Sequence, residues 1–177
     1  FKSPTPMELA RDFLWRVHMV VPAAGELVIF NRSHYEDVLI TRVHDWIDDD
    51  ECKRRYAHIN NFERLLADNN THIIKCFLHI SAEEQRKRLQ ERIDDPNKHW
   101  KFELNDLKER SFWPQYTKAY EAALSATSTE DAPWYIVPSD SKRHRNLMVA
   151  ELLVQALSEL KLSYPPGRPE LAGMKVE

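Results

Sequence analysis

The chain has 177 residues, with 42% hydrophobic and 30% charged residues and a formal net charge of −3. A chain of this length can bury enough surface to fold as one domain without disulfides. Its composition is that of an ordinary globular protein and not of a disordered chain, and its slight negative charge argues against a nucleic-acid partner. We therefore expect one globular domain in which any anion-binding site is local.

The cysteine and apolar patterns indicate a cytoplasmic protein without a membrane partner. Cys52 and Cys76 are the only cysteines, too few for a disulfide framework or a zinc site. No run of residues approaches the roughly 18 consecutive apolar residues of a membrane-spanning helix. Because the chain opens at Phe1, with neither a signal peptide nor a natural start, we expect its true N-terminus to lie upstream.

The first half of the chain predicts a helix, a short strand and two more helices. Thr5, Pro6 and Glu8 have the pattern of a capped helix start, and apolar residues at helical spacing continue that helix to Val20. Residues 26–30 then form a short apolar strand. The two further helices cover residues 36–43 and residues 48–66.

The second half predicts two strands that alternate with helices. The strands cover residues 73–80 and 134–137, and the helices cover residues 81–93, 106–126 with a kink near Pro114, and an amphipathic 145–160. This alternation predicts an α/β fold with a parallel sheet covered by helices on both faces, as three layers. Three strands are fewer than the usual five or six, so we expect part of the sheet to lie upstream.

Polar side chains follow the first predicted strand, at the sheet edge where α/β proteins bind ligands. Asn31, Arg32, Ser33, Glu36 and Asp37 combine an amide, a guanidinium, a hydroxyl and two carboxylates within seven positions. Such a set suits the joint binding of Mg²⁺ and phosphate groups. The alternative is an ordinary polar loop in which Ser33 caps the next helix.

A second cluster of charge is the basic segment, residues 86–101, which lies in an otherwise acidic chain. Its cations include Arg88 and Arg92, which share a helix face, and Lys98 and Lys101, which flank Trp100 after a turn. Cations on a mobile element can neutralise charge on a phosphoryl group during transfer. The alternative is a solvated helix face. Farther along, we expect Asp140 and Ser141 to cap the last helix rather than to act in catalysis.

The sequence resembles the polyphosphate kinase 2 family. Residues 30–38 match the family's second signature, the counterpart of a Walker B segment, and the similarity continues in the expected order through the segments 77–81, 92–102 and 127–138. It covers nearly everything from Thr5 to Leu160. Members of the family transfer phosphoryl groups between inorganic polyphosphate and nucleotides on a fold similar to thymidylate kinase.

The resemblance implies roles for particular residues. Asn31 and Arg32 fall at the Walker B site, and Asp37, with Glu36, is the expected carboxylate near Mg²⁺ and the phosphates. The phosphate-binding cations implied in or beside a lid near residues 86–105 are Arg88, Arg92, Lys98 and Lys101. The resemblance also implies a homo-dimer or homo-tetramer. We expect residues 1–163 to form the catalytic domain and, because Pro165, Pro166 and Gly167 follow Ser163, residues 164–177 to form a C-terminal tail.

One family motif is missing from the sequence. The family carries a Gly-x-x-x-x-Gly-Lys loop before the second signature, but this chain has only 3 glycines and no such loop. We therefore expect the 177 residues, tested alone, to have little or no activity. Two rival hypotheses remain: an ATP-dependent nucleoside or nucleotide kinase of the same fold, and an inactive phosphate-binding fragment.

Overall fold

The computed structural model describes residue 1 and residues 3–175, which form eight α-helices, two 3₁₀ helices and a two-stranded sheet. The α-helices are α1 (Pro6–Leu9), α2 (Trp15–His18), α3 (Glu36–Val43), α4 (Asp49–Asp68), α5 (Ala82–Asp94), α6 (Leu104–Ser111), α7 (Trp113–Thr127) and α8 (Lys142–Glu159). The strands are β1 (Lys75–His79) and β2 (Trp134–Pro138), and the 3₁₀ helices are Pro96–Lys101 and Pro169–Leu171.

The sheet is parallel, as the alternation of elements predicts. Lys75 pairs with Trp134 at one end of the strands and His79 with Pro138 at the other. Past this second end, the Asp140 carboxylate accepts a hydrogen bond of 2.8 Å from the Ser81 amide. The prediction that Asp140 caps the last helix is therefore wrong. The side chain that caps α8 is that of Ser141. Asp140 instead joins the segment that follows β2 to the segment that follows β1.

The predicted strand over residues 26–30 is also wrong. This segment has no regular secondary structure, and Leu27, Val28 and Ile29 are 57%, 43% and 80% exposed. An apolar run becomes a strand only when a neighbouring strand takes up its backbone hydrogen bonds. None of the other residues described in the structure pairs with this segment.

The predicted first helix is two short helices. Thr5 and Glu8 form the predicted capping box, but α1 ends at Leu9 and α2 begins at Trp15. Between them, the Asp12 carboxylate accepts a hydrogen bond of 3.0 Å from the Leu14 amide. Such a local side-chain bond offers the backbone an alternative to the helical pattern, which explains the break.

The long helix predicted over residues 106–126 is likewise divided into α6 and α7. The break falls at Phe112, and Pro114 lies in the first turn of α7. Proline has no amide hydrogen to donate to the preceding turn, so it begins a helix more readily than it continues one. Where the sequence predicted a kink, the structure therefore has a full boundary between two helices.

The core lies between α3, α4 and α7. Its buried members are Tyr35, Val38, Leu39, Val43, Cys52, Tyr56, Ile59, Ala119 and Ala123. The two alanines let α7 approach α3 closely, and complete burial of a side chain such as Ile59 stabilises the fold by about 1.5–3 kcal/mol. Because four core residues come from residues 35–43, packing fixes the position of the segment that carries the predicted site.

The ends of the described chain contribute little to this core. No residue of α8 is buried, and residues 164–175, which belong to the predicted tail, are exposed, while residues 176 and 177 of that tail lie outside the described residues. Among the helices that the structure describes, none has the length and apolar character needed to cross a lipid bilayer.

Candidate active site

A cavity of about 890 Å³ lies between the N-terminal segment, α3 and α4. Three of the predicted site residues line it, namely Arg32, Glu36 and Asp37. Three arginines that the sequence did not single out, Arg11, Arg16 and Arg55, line it as well. The cavity therefore gathers cationic and anionic side chains from separate parts of the chain.

The turn before α3 aims these side chains. Arg32 has a φ of 60°, in the left-handed region that non-glycine residues seldom adopt. Strain of this kind persists only where the surrounding structure holds it, and it is common at functional sites. Glu36 and Asp37 occupy the first turn of α3, where the positive end of the helix dipole favours acidic side chains.

Unlike the exposed Arg32, Asp37 is partly buried, as Glu36 is. Burial raises its pKa, and the nearby Arg16, Arg55 and His34 oppose that increase. Arg16 Nη2 lies 3.6 Å from Asp37 Oδ2, and Arg55 donates a hydrogen bond of 2.8 Å to the Asp37 backbone carbonyl. Burial also raises the pKa of Glu36, and the nearby Arg32 opposes it. Both carboxylates thus lie where a further positive charge would stabilise their ionised forms.

The two carboxylates fit the kind of Mg²⁺ site in which water and phosphate oxygens supply the other ligands. No group of three or more His, Cys, Asp or Glu side chains capable of holding a metal occurs among the described residues. Mg²⁺, however, is commonly bound by one or two carboxylates together with water and phosphate oxygens. Asp37 Oδ2 is buried and accepts no hydrogen bond within the described part of the chain, and its ion-pair distance of 3.6 Å to Arg16 is too long for one, so it could serve as such a ligand.

Arg16 and Arg55 were not among the site residues predicted from the sequence. Arg16 has an 8% exposed side chain although it lies between two apolar residues of a short helix. Arg55 pairs with Glu51 at 2.9 Å and lies over the Phe13 ring, 5.1 Å from its centroid. The one sequence signal was the i, i+4 spacing of Glu51 and Arg55, which is also common on ordinary helix surfaces.

Arg88 has a different environment from the cavity residues. It donates hydrogen bonds of 2.7 Å and 3.0 Å to the carbonyls of Ser139 and Asp140, and a third of 2.7 Å to Glu84. These bonds connect α5 to the end of β2. The structure therefore gives this predicted phosphate-binding residue a position in which its donors are used within the protein.

The other predicted lid cations lie at the surface and contact nearby residues. Arg92 donates to the Lys101 carbonyl at 3.3 Å, Lys98 pairs with Asp95 at 3.1 Å, and the Lys101 amine lies 4.7 Å from the centroid of the Trp100 ring. As placed, these cations and Arg88 are absent from the cavity lining, and so is the exposed Asn31. The structure thus brings Arg32, Glu36 and Asp37 together but keeps the basic segment apart from them.

Comparison with solved structures defines the fold as a P-loop kinase-like α/β fold, as the sequence predicted. The chain is similar to a crystal structure of polyphosphate kinase 2 from Arthrobacter aurescens TC1, with a TM-score of 0.93 and 49% identity over 99% of this chain and 60% of that one. A putative polyphosphate kinase 2 from Pseudomonas aeruginosa PA01 gives a TM-score of 0.86 and 32% identity over 93% of this chain and 35% of that one.

A comparison with protein-family models places the chain more specifically than the fold does. The family model for polyphosphate kinase 2 matches residues 1–164, so the chain belongs to the polyphosphate kinase 2 family and the resemblance seen in the sequence is confirmed.

Two sequence relatives carry related names. An AMP/ADP-polyphosphate phosphotransferase of Meiothermus ruber is 54% identical over 99% of this chain and 65% of its own length. An ADP-polyphosphate phosphotransferase of Rhodopseudomonas palustris is 46% identical over 96% of this chain and 63% of its own length. The chain therefore spans a little less than two thirds of each of these relatives.

Proposed function

We propose that the protein containing this chain transfers a terminal phosphoryl group between inorganic polyphosphate and a nucleoside mono- or diphosphate, converting AMP or ADP to ADP or ATP. The main support is the cavity in which Arg32, Glu36 and Asp37 meet three further arginines. The names of the relatives, which specify AMP, ADP and polyphosphate, support the substrate class.

Phosphoryl transfer requires little covalent chemistry from the protein, so positioning and charge stabilisation supply most of the catalysis. Arg32 is exposed at the cavity, where its guanidinium can contact phosphate oxygens. Asp37 and Glu36 would hold Mg²⁺, which offsets negative charge on the phosphate oxygens when it is bound. Arg55 keeps the first turn of α3 in place through its bond to the Asp37 carbonyl.

We further propose that Arg92, Lys98 and Lys101 contact polyphosphate when the basic segment moves toward the cavity. Their side chains lie at the surface and make mostly local contacts, so few tertiary bonds would have to break. Arg88 contributes by holding α5 to the sheet, since its donors already bind the carbonyls of Ser139 and Asp140.

The test is a coupled assay on the full-length gene product with Mg²⁺, polyphosphate and either AMP or ADP. We expect ADP or ATP to form, and Asp37→Asn to lower kcat by about 100-fold or more, the loss typical of removing a transition-state charge contact. Asp50→Asn is the matched control, because Asp50 has a 78% exposed side chain on α4. Phosphorylation from ATP but not from polyphosphate would reject the proposed donor.

We propose in addition that the protein acts in the cytoplasm as a homo-dimer or homo-tetramer. Both cysteines are free thiols, which suits a reducing compartment. Large apolar side chains are exposed on α8, including Leu147 at 56% and Val154 at 63%, and subunit association would cover such surfaces. Light scattering on the full-length gene product measures the number of subunits directly.

A further inference from the structure

A buried polar cluster lies in the core next to the candidate site. It consists of Glu63 on α4, Lys75 at the start of β1 and Tyr35 just before α3, and we call it the Glu63–Lys75 cluster. Lys75 Nζ donates hydrogen bonds of 2.6 Å to Glu63 Oε2, 2.9 Å to the Tyr35 hydroxyl and 2.7 Å to the Thr127 carbonyl. The ammonium group therefore has an acceptor for each of its three protons.

The cluster is enclosed as completely as the apolar core. The side chains of Lys75 and Glu63 are only 6% and 2% exposed. A buried ion pair loses so much hydration that an apolar pair of similar volume would stabilise the fold equally well or better. The presence of such a pair is better explained by geometry, because its directional hydrogen bonds hold the surrounding groups in a single arrangement.

The group that these bonds hold is the start of α3. The Tyr35 hydroxyl accepts from Lys75 and donates a hydrogen bond of 2.8 Å to Glu63 Oε1. His34 Nε2 lies 3.4 Å from the same Glu63 oxygen. In sequence, His34 and Tyr35 lie between Arg32 and the carboxylates of Glu36 and Asp37. The cluster therefore fixes the turn that carries all three predicted catalytic residues.

The first turn of α3 begins on the same residues. The Glu36 and Asp37 amides donate hydrogen bonds of 3.1 Å to the carbonyls of Ser33 and His34, and the Val38 amide donates one of 3.1 Å to the carbonyl of Tyr35. A shift of Tyr35 would therefore move the backbone of Asp37. Small displacements of this kind matter, because a misplacement of about 1 Å at a reacting group can cost about 100-fold in rate.

We propose that Glu63 and Lys75 are positioning residues, which act through the Tyr35 hydroxyl to hold the start of α3 in the orientation that phosphoryl transfer requires. The kinetic consequence of this proposal rests on the proposed function, whereas the structural link between the cluster and α3 does not. Glu63 and Lys75 themselves do not line the cavity, so they act on the reaction only through other residues.

The sharpest variant is Tyr35→Phe. It removes the hydroxyl that joins the ion pair to α3 but leaves the direct bond between Lys75 and Glu63, and the ring keeps its edge contact with Trp134 at 4.7 Å. Tyr56→Phe is the matched control, because Tyr56 is another buried core tyrosine, 7% exposed. Its hydroxyl lies near Arg42 and Cys52 and is not among the groups that hydrogen-bond within the Glu63–Lys75 cluster.

Two measurements on the full-length gene product test the proposal. Hydrogen exchange of a peptide covering residues 34–40 should become about fivefold faster in Tyr35→Phe, as expected for the loss of one hydrogen bond. Turnover with polyphosphate and ADP should fall at least about tenfold in kcat, with the KM for polyphosphate changed less than about twofold. Tyr56→Phe should leave both the exchange of that peptide and kcat at wild-type values.

Unchanged exchange in Tyr35→Phe would overturn the proposal, and so would faster exchange with a wild-type kcat. An equal fall of kcat in Tyr56→Phe would also overturn it, because the effect would then reflect general loss of core stability. If the wild-type protein itself makes no nucleotide from polyphosphate, the proposed function fails, and the exchange measurement still decides whether the cluster holds α3.

Discussion

Residues 31–37 and the basic segment, residues 86–101, both carry charged side chains proposed to act on phosphate, and the fold holds the two groups in different ways. Asp37 is 18% exposed in its side chain and lies beside Arg16, which comes from a distant part of the chain. Lys98 is 45% exposed and pairs with Asp95, three residues away. The first group is therefore fixed by tertiary contacts, and the second mainly by its immediate neighbours.

This difference separates two physical tasks. Residues 31–37 are attached to the core and to the Glu63–Lys75 cluster, so their geometry exists before any substrate binds. The exposed cations of the basic segment make contacts that are each worth only about 0–1 kcal/mol, so a polyanion can replace them at little cost. Preorganised charge suits the reacting phosphoryl group, and adaptable charge suits a long and flexible phosphate chain.

The largest effect should come from breaking the buried pair. Lys75→Met leaves the Glu63 carboxylate buried without its cation, and we expect the free energy of unfolding to fall by about 3–5 kcal/mol. Lys98→Met, on the basic segment, should change it by less than about 1 kcal/mol. Urea denaturation of the full-length variants measures both values, and similar losses for the two would remove the distinction between the regions.

The double variant Glu63→Leu/Lys75→Met is the control for that experiment. Replacing both charges with apolar side chains removes the buried unpaired charge, so most of the lost stability should return. Its turnover should nevertheless stay low, because the Tyr35 hydroxyl has lost the ion pair that orients it. Recovery of both stability and turnover would show that the pair has no positioning role.

The sequence predicted those features whose signals are local. The range of α3 and the two paired strands follow from local sequence patterns, and the structure confirms them. The strand at residues 26–30 failed because its formation depends on a neighbouring strand rather than on its own sequence. The division at Asp12 depended on a single side-chain bond that periodicity does not reveal.

The candidate site could be predicted only in part for a similar reason. Arg32, Glu36 and Asp37 are adjacent in sequence, so their clustering is visible as a motif. Arg16 and Arg55 reach the same cavity from other elements, and no spacing in the sequence connects them to it. Lys75 was visible as a lone cation in an apolar strand, but its partner Glu63 depends on how α4 packs against β1.

An intermediate effect should come from the cations of the basic segment. Lys98→Ala/Lys101→Ala should raise the KM for polyphosphate about tenfold, because two charge contacts with a polyanion are lost, and high salt should reduce the difference from wild type. Lys53→Ala is the control, since Lys53 forms a pair of the same i, i+3 spacing with Asp50 on α4 and is more exposed than Lys98. An unchanged KM for polyphosphate in steady-state assays would show that Lys98 and Lys101 do not bind polyphosphate, and that role would then belong to the cavity residues alone.

The smallest effect concerns the pH dependence of stability, which should have opposite signs in the two regions. Burial raises the pKa of Asp37, and Arg16, Arg55 and His34 only partly offset it, so the folded protein holds that proton more tightly than the unfolded chain. Stability associated with Asp37 is then present below its ordinary pKa of 3.8 and is lost as the pH rises through the folded value. Relative to wild type, Asp37→Asn should therefore gain stability as the pH rises toward neutral.

Asp95, in the basic segment, provides the opposite case. Its hydrogen bond with Lys98, and then the Asn97 amide, lower its pKa, so its stabilising contribution is present above the ordinary value of 3.8 and is lost as the pH falls through the folded value. Asp95→Asn should therefore lose stability relative to wild type as the pH rises toward neutral. Urea denaturation of both variants across this pH range measures the two slopes. If the stability difference from wild type changed with pH in the same direction for both variants, the arginines and not burial would control the charge of Asp37. Asp37 would then behave like the carboxylate of an exposed ion pair.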